Sequence, residues 1–280
     1  MKFSYTFLEG AIHMWKWEAE GNARAVIVIV HGAMEHHRRY GWLIEQWRHA
    51  GFHVVMGDLP GHGLTTRSRR GHIDSFEEYM DEVKKWIDAS YQFDLPVFLI
   101  GHSMGGLITL RLLQKERLNV AGVILSSPCL GLVNKPSPIL HAATFILNKV
   151  FPALRVSSGI SLDMVTRNED VRELDLKDTL YVKKISVRWY RELEEAMKNA
   201  FAMIKRTQDT PLLVVQSGDD RIVDKEKVRN WFNSVPLSEK RFKEWPKCYH
   251  EVFNEPEREE VFLYVKDFVE SQLKGLGYIV

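Results

Sequence analysis

The residues best equipped for chemistry lie in Gly101-His102-Ser103-Met104-Gly105, a G-x-S-x-G pentapeptide. A serine hydroxyl is a weak nucleophile at neutral pH, so it needs a base within hydrogen-bond reach and a perch that substrate can approach. A strained strand-to-helix turn supplies the perch, and the flanking glycines let neighbouring backbones pass closely. By chance alone the pentapeptide arises in about one such chain in ten. Its partners must therefore be found independently.

On a doubly wound sheet of the kind that carries this turn, acid and base follow the serine in the order Ser, Asp or Glu, His. Of eleven histidines only His141 and His250 lie beyond Ser103, and His141 falls in an irregular stretch. His250, just after the last expected strand, is the base that fits. The acid should follow the preceding strand, where Ser217-Gly218-Asp219-Asp220-Arg221-Ile222-Val223-Asp224 stands. Asp224 suits a helix N-cap. Position does not choose between Asp219 and Asp220. The oxyanion needs two preorganised N–H donors. Met104, next to the nucleophile, is one; Ala33 in His31-Gly32-Ala33-Met34-Glu35 is the other.

The elements that must position these groups are legible as hydrophobic runs. Arg24–Val30, His53–Gly57, Val97–Ile100, Val120–Leu125, Pro211–Gln216 and Arg241–Trp245 read as strands, several of them apolar throughout as in buried parallel sheets. Helical patterns at about 43–50, 75–91, 107–113, 187–205, 225–232 and 258–273 separate them. Two antiparallel strands, Phe3–Leu8 and Ile12–Ala19, turning at Glu9-Gly10, would extend the edge. The fold class is α/β, a mostly parallel sheet with helices on both faces. Roughly 80 residues between Pro128 and Pro211 show no convincing strand, too many for a loop. The expected organisation is a core of residues 1–128 and 186–280 with a helical cap inserted at 129–185.

Composition excludes several function classes. Across 280 residues, 38 Lys and Arg nearly balance 37 Asp and Glu, which gives no field for nucleic acid. Cys129 and Cys248 form neither a disulfide framework nor a metal-ligand spacing. Two isolated thiols and an N-terminus without an apolar signal segment point to a cytoplasmic protein. Nothing in the sequence fixes an oligomeric state.

The chain resembles the α/β-hydrolases of the monoacylglycerol lipase and lysophospholipase group, which are serine aminopeptidase-like. The carrying stretches are His31-Gly32-Ala33-Met34-Glu35-His36 with Arg39-Tyr40, Asp58-Leu59-Pro60-Gly61-His62-Gly63, the Ser103 pentapeptide, Lys177-Asp178-Thr179-Leu180, Ser186-Val187-Arg188-Trp189-Tyr190, Ser217-Gly218-Asp219-Asp220-Arg221 and Tyr249-His250-Glu251. Leu64-Thr65 after Gly-His-Gly departs from the serine many members place there. The resemblance implies Asp220 as the acid, Ala33 and Met104 as oxyanion donors, and a reaction without metal or organic cofactor.

The expected activity is hydrolysis of carboxylic esters bearing one acyl chain, such as monoacylglycerols, lysophospholipids or small synthetic esters. Thioester cleavage, acyl transfer or another reaction on the same triad is the alternative; a non-catalytic binding protein is the less favoured class. The stretch from Ile139 to Leu147 is apolar on most sides, with Ile139, Phe145 and Ile146 as candidate substrate contacts. Transient contact of this cap with a membrane surface is compatible with that character.

Overall fold

The computed structural model describes residues 3–5, 14–65 and 69–278. In chain order the elements begin β1 (Phe3–Tyr5), β2 (Met14–Trp17), β3 (Ala25–Val30), α1 (Gly41–His49), β4 (Phe52–Gly57), α2 (Glu77–Ser90), β5 (Val97–His102), α3 (Met104–Lys115) and β6 (Gly122–Ser126). They continue α4 (Pro138–Val150), β7 (Arg155–Ser157), α5 (Glu169–Leu176), β8 (Lys184–Ser186), α6 (Val187–Ala202), β9 (Leu212–Ser217), α7 (Lys225–Ser234), β10 (Lys240–Trp245) and α8 (Arg258–Gly275). The expected turn at Glu9-Gly10 lies outside the described residues.

Eight strands form one sheet in the order β1-β2-β4-β3-β5-β6-β9-β10, antiparallel at β1-β2 and β2-β4 and parallel elsewhere. Side chains alternate across a strand, and β3 shows the consequence. Val26, Val28 and Val30 enter one core with Trp86, Leu107, Trp189 and Trp231. Ala25, Ile27 and Ile29 enter the other with Trp47, Phe52, Phe262 and Phe268. Helices cover both faces, so the central strands can be apolar without alternation. β3 pairs with both β4 and β5. Their successive connections leave in opposite directions, which opens a crevice at the carboxyl ends of β3 and β5 where such sheets hold ligands.

Residues 127–186 add no strand to this sheet. They do contain one strand pair, β7 with β8, antiparallel with Arg155 opposite Ser186. No convincing strand is legible there in the sequence. Three residues each, with all three of β7 exposed, carry no period-2 pattern to read. α6 returns to the core, burying Trp189, Leu193, Ala196 and Ala200. Among the described residues no helix is long and apolar enough to cross a membrane.

Candidate active site

Ser103 stands where β5 stops and α3 begins, with φ 52° and ψ −118°. A left-handed backbone at a residue with a Cβ is costly and persists only where the surroundings enforce it. Here three backbone hydrogen bonds do so. Ser103 N–H donates to Ser126 O at 2.9 Å, while Cys129 N–H and Leu107 N–H donate to Ser103 O at 2.9 and 3.1 Å. The glycines permit the approach: a Cβ on Gly105 would lie 2.1 Å from Val30 O, and one on Gly101 would lie 2.6 Å from Gly105 O. α3 can therefore start directly against the end of β3.

His250 lies on the loop after β10, and its Nε2 is 2.8 Å from Ser103 Oγ. Its Nδ1 lies 3.0 and 3.1 Å from the two oxygens of Asp220. Burial raises the cost of ionising Asp220, but the His250 charge and hydrogen bond and the Val223 and Ile222 N–H groups outweigh it and hold its pKa below 3.8. An ionised carboxylate only accepts, so the imidazole proton sits on Nδ1 and donates to Asp220. Nε2 is left to accept from the Ser103 hydroxyl. Burial works to lower the His250 pKa and the Asp220 charge to raise it; the raise wins, placing it above 6.5.

The two neighbouring aspartates behave differently. Asp219, with 56% of its side chain exposed, faces Arg221 at 3.4 Å. Asp224 accepts from Glu226 and Lys227 N–H groups as the N-cap of α7. His141 is on α4, 2.7 Å from Glu194, in the segment expected to be a cap.

The loop after β3 is fixed by buried polar groups. His31 Nε2 accepts from Leu59 N–H at 2.9 Å, and its Nδ1 donates to Gly32 O at 2.7 Å. Burial pushes its pKa down to about 3, so the ring stays neutral. Gly32 N–H donates to Glu35 Oε2 at 3.2 Å, and Met34 sits at φ 67°. Ala33 and Met104 thereby border the same cavity as Ser103.

Behind the loop lies a buried ion cluster that no local pattern in the sequence announces. Arg39 donates to Asp175 at 2.9 and 2.5 Å and to Glu251 at 2.8 and 3.0 Å, with Glu35 at 3.4 Å. Burial, together with the Glu251 charge, pushes the Glu35 carboxyl up to about 7. Glu35, His102 and Glu251 bring donor atoms within 4.8 Å of one another. The Arg39 guanidinium already donates to Glu251 and lies 3.4 Å from Glu35, and its charge would repel a metal ion. Cys248, Glu255 and Glu257 form a similar group, whose carboxylates are taken by Arg167.

Ser103 opens into a cavity of about 430 Å³. Leu140, Thr144 and Leu147 line it from one face of α4, with Val156 and Ile160 beyond and Trp189, Leu193 and Ile222 below. The three residues expected to touch substrate do not border it. Ile139 is 85% and Ile146 68% exposed, while Phe145, 47% exposed, lies under the Arg191 guanidinium at 3.7 Å. A helix apolar on most sides gives no phase, and packing chose the 140/144/147 stripe.

Comparison with known proteins identifies the family. The profile of the family described as "Serine aminopeptidase, S33" matches residues 21–257. Phospholipase YtpA of Bacillus subtilis is 54% identical over 261 residues, 93% of this chain and 100% of that protein. A monoacylglycerol lipase of Mycolicibacterium smegmatis is 28% identical over 263 residues, covering 92% of each. The crystal structure of Paleococcus ferrophilus monoacylglycerol lipase superposes with a TM-score of 0.83 at 30% identity, covering 93% of this chain and 100% of that one. The chain belongs to the serine aminopeptidase S33 family of α/β-hydrolases, in the branch that includes the monoacylglycerol lipases.

Proposed function

We propose that this ester hydrolase cleaves single-acyl lipids through Ser103, His250 and Asp220. The observation that carries the reading is the chain Ser103 Oγ, His250 Nε2 at 2.8 Å, and His250 Nδ1 to Asp220 at 3.0 Å, opening into an apolar cavity. His250 takes the hydroxyl proton as Oγ attacks the ester carbonyl. The Ala33 and Met104 N–H groups receive the oxyanion. The imidazolium, held by Asp220, returns the proton to the departing alcohol. Water then attacks the acyl-enzyme by the same route, His250 again serving as base, and releases the acid.

The family's name suggests peptide substrates as a rival. An aminopeptidase must hold the free α-ammonium of its substrate, which calls for a carboxylate. Among the described residues lining the cavity there is no Asp or Glu, and the ionised side chain present is Lys135. Aliphatic walls of this kind fit an acyl chain instead. The lipase and phospholipase names of the relatives support the same choice.

Residues 129–185 act in this reading as a cap that excludes water from Ser103. The outward face of α4 and its end, with Ile139, Ile146, Val150 and Phe151 exposed, supports transient contact with a lipid surface. The test is labelling by a fluorophosphonate probe, followed by a panel of monoacylglycerols of graded chain length. Labelling lost in Ser103→Ala and turnover of one or more monoacylglycerols are expected. Absence of labelling in the parent protein would reject the mechanism.

A further inference from the structure

A groove of about 650 Å³ runs beside the Ser103 cavity, and the two share a wall of Leu132, Lys135, Pro136 and Tyr190. Its floor is apolar, with Leu130, Met197 and Phe201, while Lys135, Lys198 and Lys227 stand around it. Glu194 is the one carboxylate among the described lining residues, and its charge is already engaged. It accepts from Arg191 and lies 2.7 Å from His141 Nε2. Lys198 only approaches it, at 4.0 Å. Lys135 and Lys227 form no ion pair with a described residue.

The placement of Lys227 depends on Gly131. A Cβ at Gly131 would come within 2.3 Å of Lys227 Cδ, so the absent side chain leaves the space in which the lysine stem lies. This wall is tied to the loop that carries Asp220. Leu132 bridges to Val223, Val133 N–H donates to Ile222 O at 2.9 Å, and Asp224 N–H donates to Gly131 O at 3.0 Å.

An apolar cavity holding the nucleophile thus adjoins a groove with surplus positive charge. That pair of surfaces is complementary to an amphiphile whose acyl ester stands a few bonds from an anion. We propose that the groove binds the anionic head group of the ester substrate, a phosphate joined through glycerol, while the acyl chain occupies the cavity over Ser103. The proposal rests on the ester-hydrolase reading above. Ammonium groups on flexible stems receive phosphate oxygens as point charges. They also speed encounter with anionic substrates at low salt. A free phosphate would feel the same charges; the wall shared with the acyl cavity is what favours a lipid.

The test compares kcat/KM for lysophosphatidic acid and for monoacylglycerol of the same acyl chain, both below micelle formation and at low ionic strength. The anionic ester is expected to be preferred. The double variant Lys198→Gln/Lys227→Gln should lower the anionic-to-neutral ratio about tenfold, and Lys227→Arg should retain it. The preference should also shrink with added salt, because screening shortens to about 10 Å at 0.1 M. Neutral-ester turnover with no anionic preference, or equal loss on both esters in the double variant, overturns the head-group site alone. Inhibition of neutral-ester turnover by glycerol 3-phosphate as strong as by lysophosphatidic acid overturns the lipid assignment. If neither ester is cleaved and Ser103 takes no fluorophosphonate, the hydrolase reading falls and this proposal with it.

Discussion

Arg39 grips Glu251, the residue that follows His250, through hydrogen bonds of 2.8 and 3.0 Å. The same guanidinium spans Asp175 on α5, so one buried cation ties the 129–185 segment to the loop that carries His250. Glu251 N–H also donates to Val165 O at 2.9 Å, a second stitch between the same two segments. Arg39→Met would leave three carboxylates buried without their counter-ion. Unfolding in urea should show a loss of about 3–5 kcal/mol. Arg39→Lys should recover only part, because an ammonium cannot form two planar forks. A loss below about 1 kcal/mol would mean the carboxylates find other partners.

The pH dependence follows from His250. Its pKa is raised above 6.5 by the Asp220 charge against the lowering effect of burial, and a base must be neutral to act. Activity on a neutral ester should therefore climb with pH through a midpoint above 6.5. Replacing Asp220 by Asn removes the charge that sustains the raise, so the residual activity of that variant should show a lower midpoint. A rate profile flat from pH 5 to 8 would contradict His250 as the base.

The two adjacent aspartates separate cleanly. Asp220→Asn should lower kcat by about 10⁴, because an amide favours the wrong imidazole tautomer. Asp219, exposed and paired with Arg221, should tolerate the same change within a few fold. Steady-state rates on one short-chain ester decide between them; the opposite pattern would reassign the acid.

Glu35 sets a stability trend of defined sign. Its carboxyl is pushed up to about 7 in the fold, against an ordinary value of 4.5. The folded state therefore keeps a proton that the unfolded chain releases between these values. Stability from this group is fully present below 4.5 and is lost as pH rises to about 7. Glu35→Gln should remove that loss, so its stability relative to the parent improves from pH 5 to pH 8. Chemical denaturation at the two pH values checks it, and an unchanged difference would show Glu35 ionised throughout.

Chain-length preference should respond to α4. Leu147 faces the cavity while Ile146 faces outward. Leu147→Trp should reduce kcat/KM for long acyl esters far more than for acetyl esters, and Ile146→Trp should not. A matched panel of glycerol esters reads the difference.

Much of this molecule is legible in local sequence. Buried strands and amphipathic helices announce themselves because burial follows the period of the backbone, 2 for a strand and 3.6 for a helix. The turn at Ser103 is legible because glycines are needed wherever backbones touch. The order of Ser103, an aspartate after Gly218, and His250 follows from the sheet's winding. Choices between side chains that meet across the fold are not written in any period. Whether Asp219 or Asp220 faces His250 depends on how the loop leaves β9, and the stripe of α4 that lines the cavity depends on what packs beneath it. The Arg39 cluster joins residues 136 and 212 positions apart. The lysine groove arises only where the 131–135 wall, α6 and α7 come together. Local periodicity decided which residues are buried; only the packed tertiary structure decided which of them face one another.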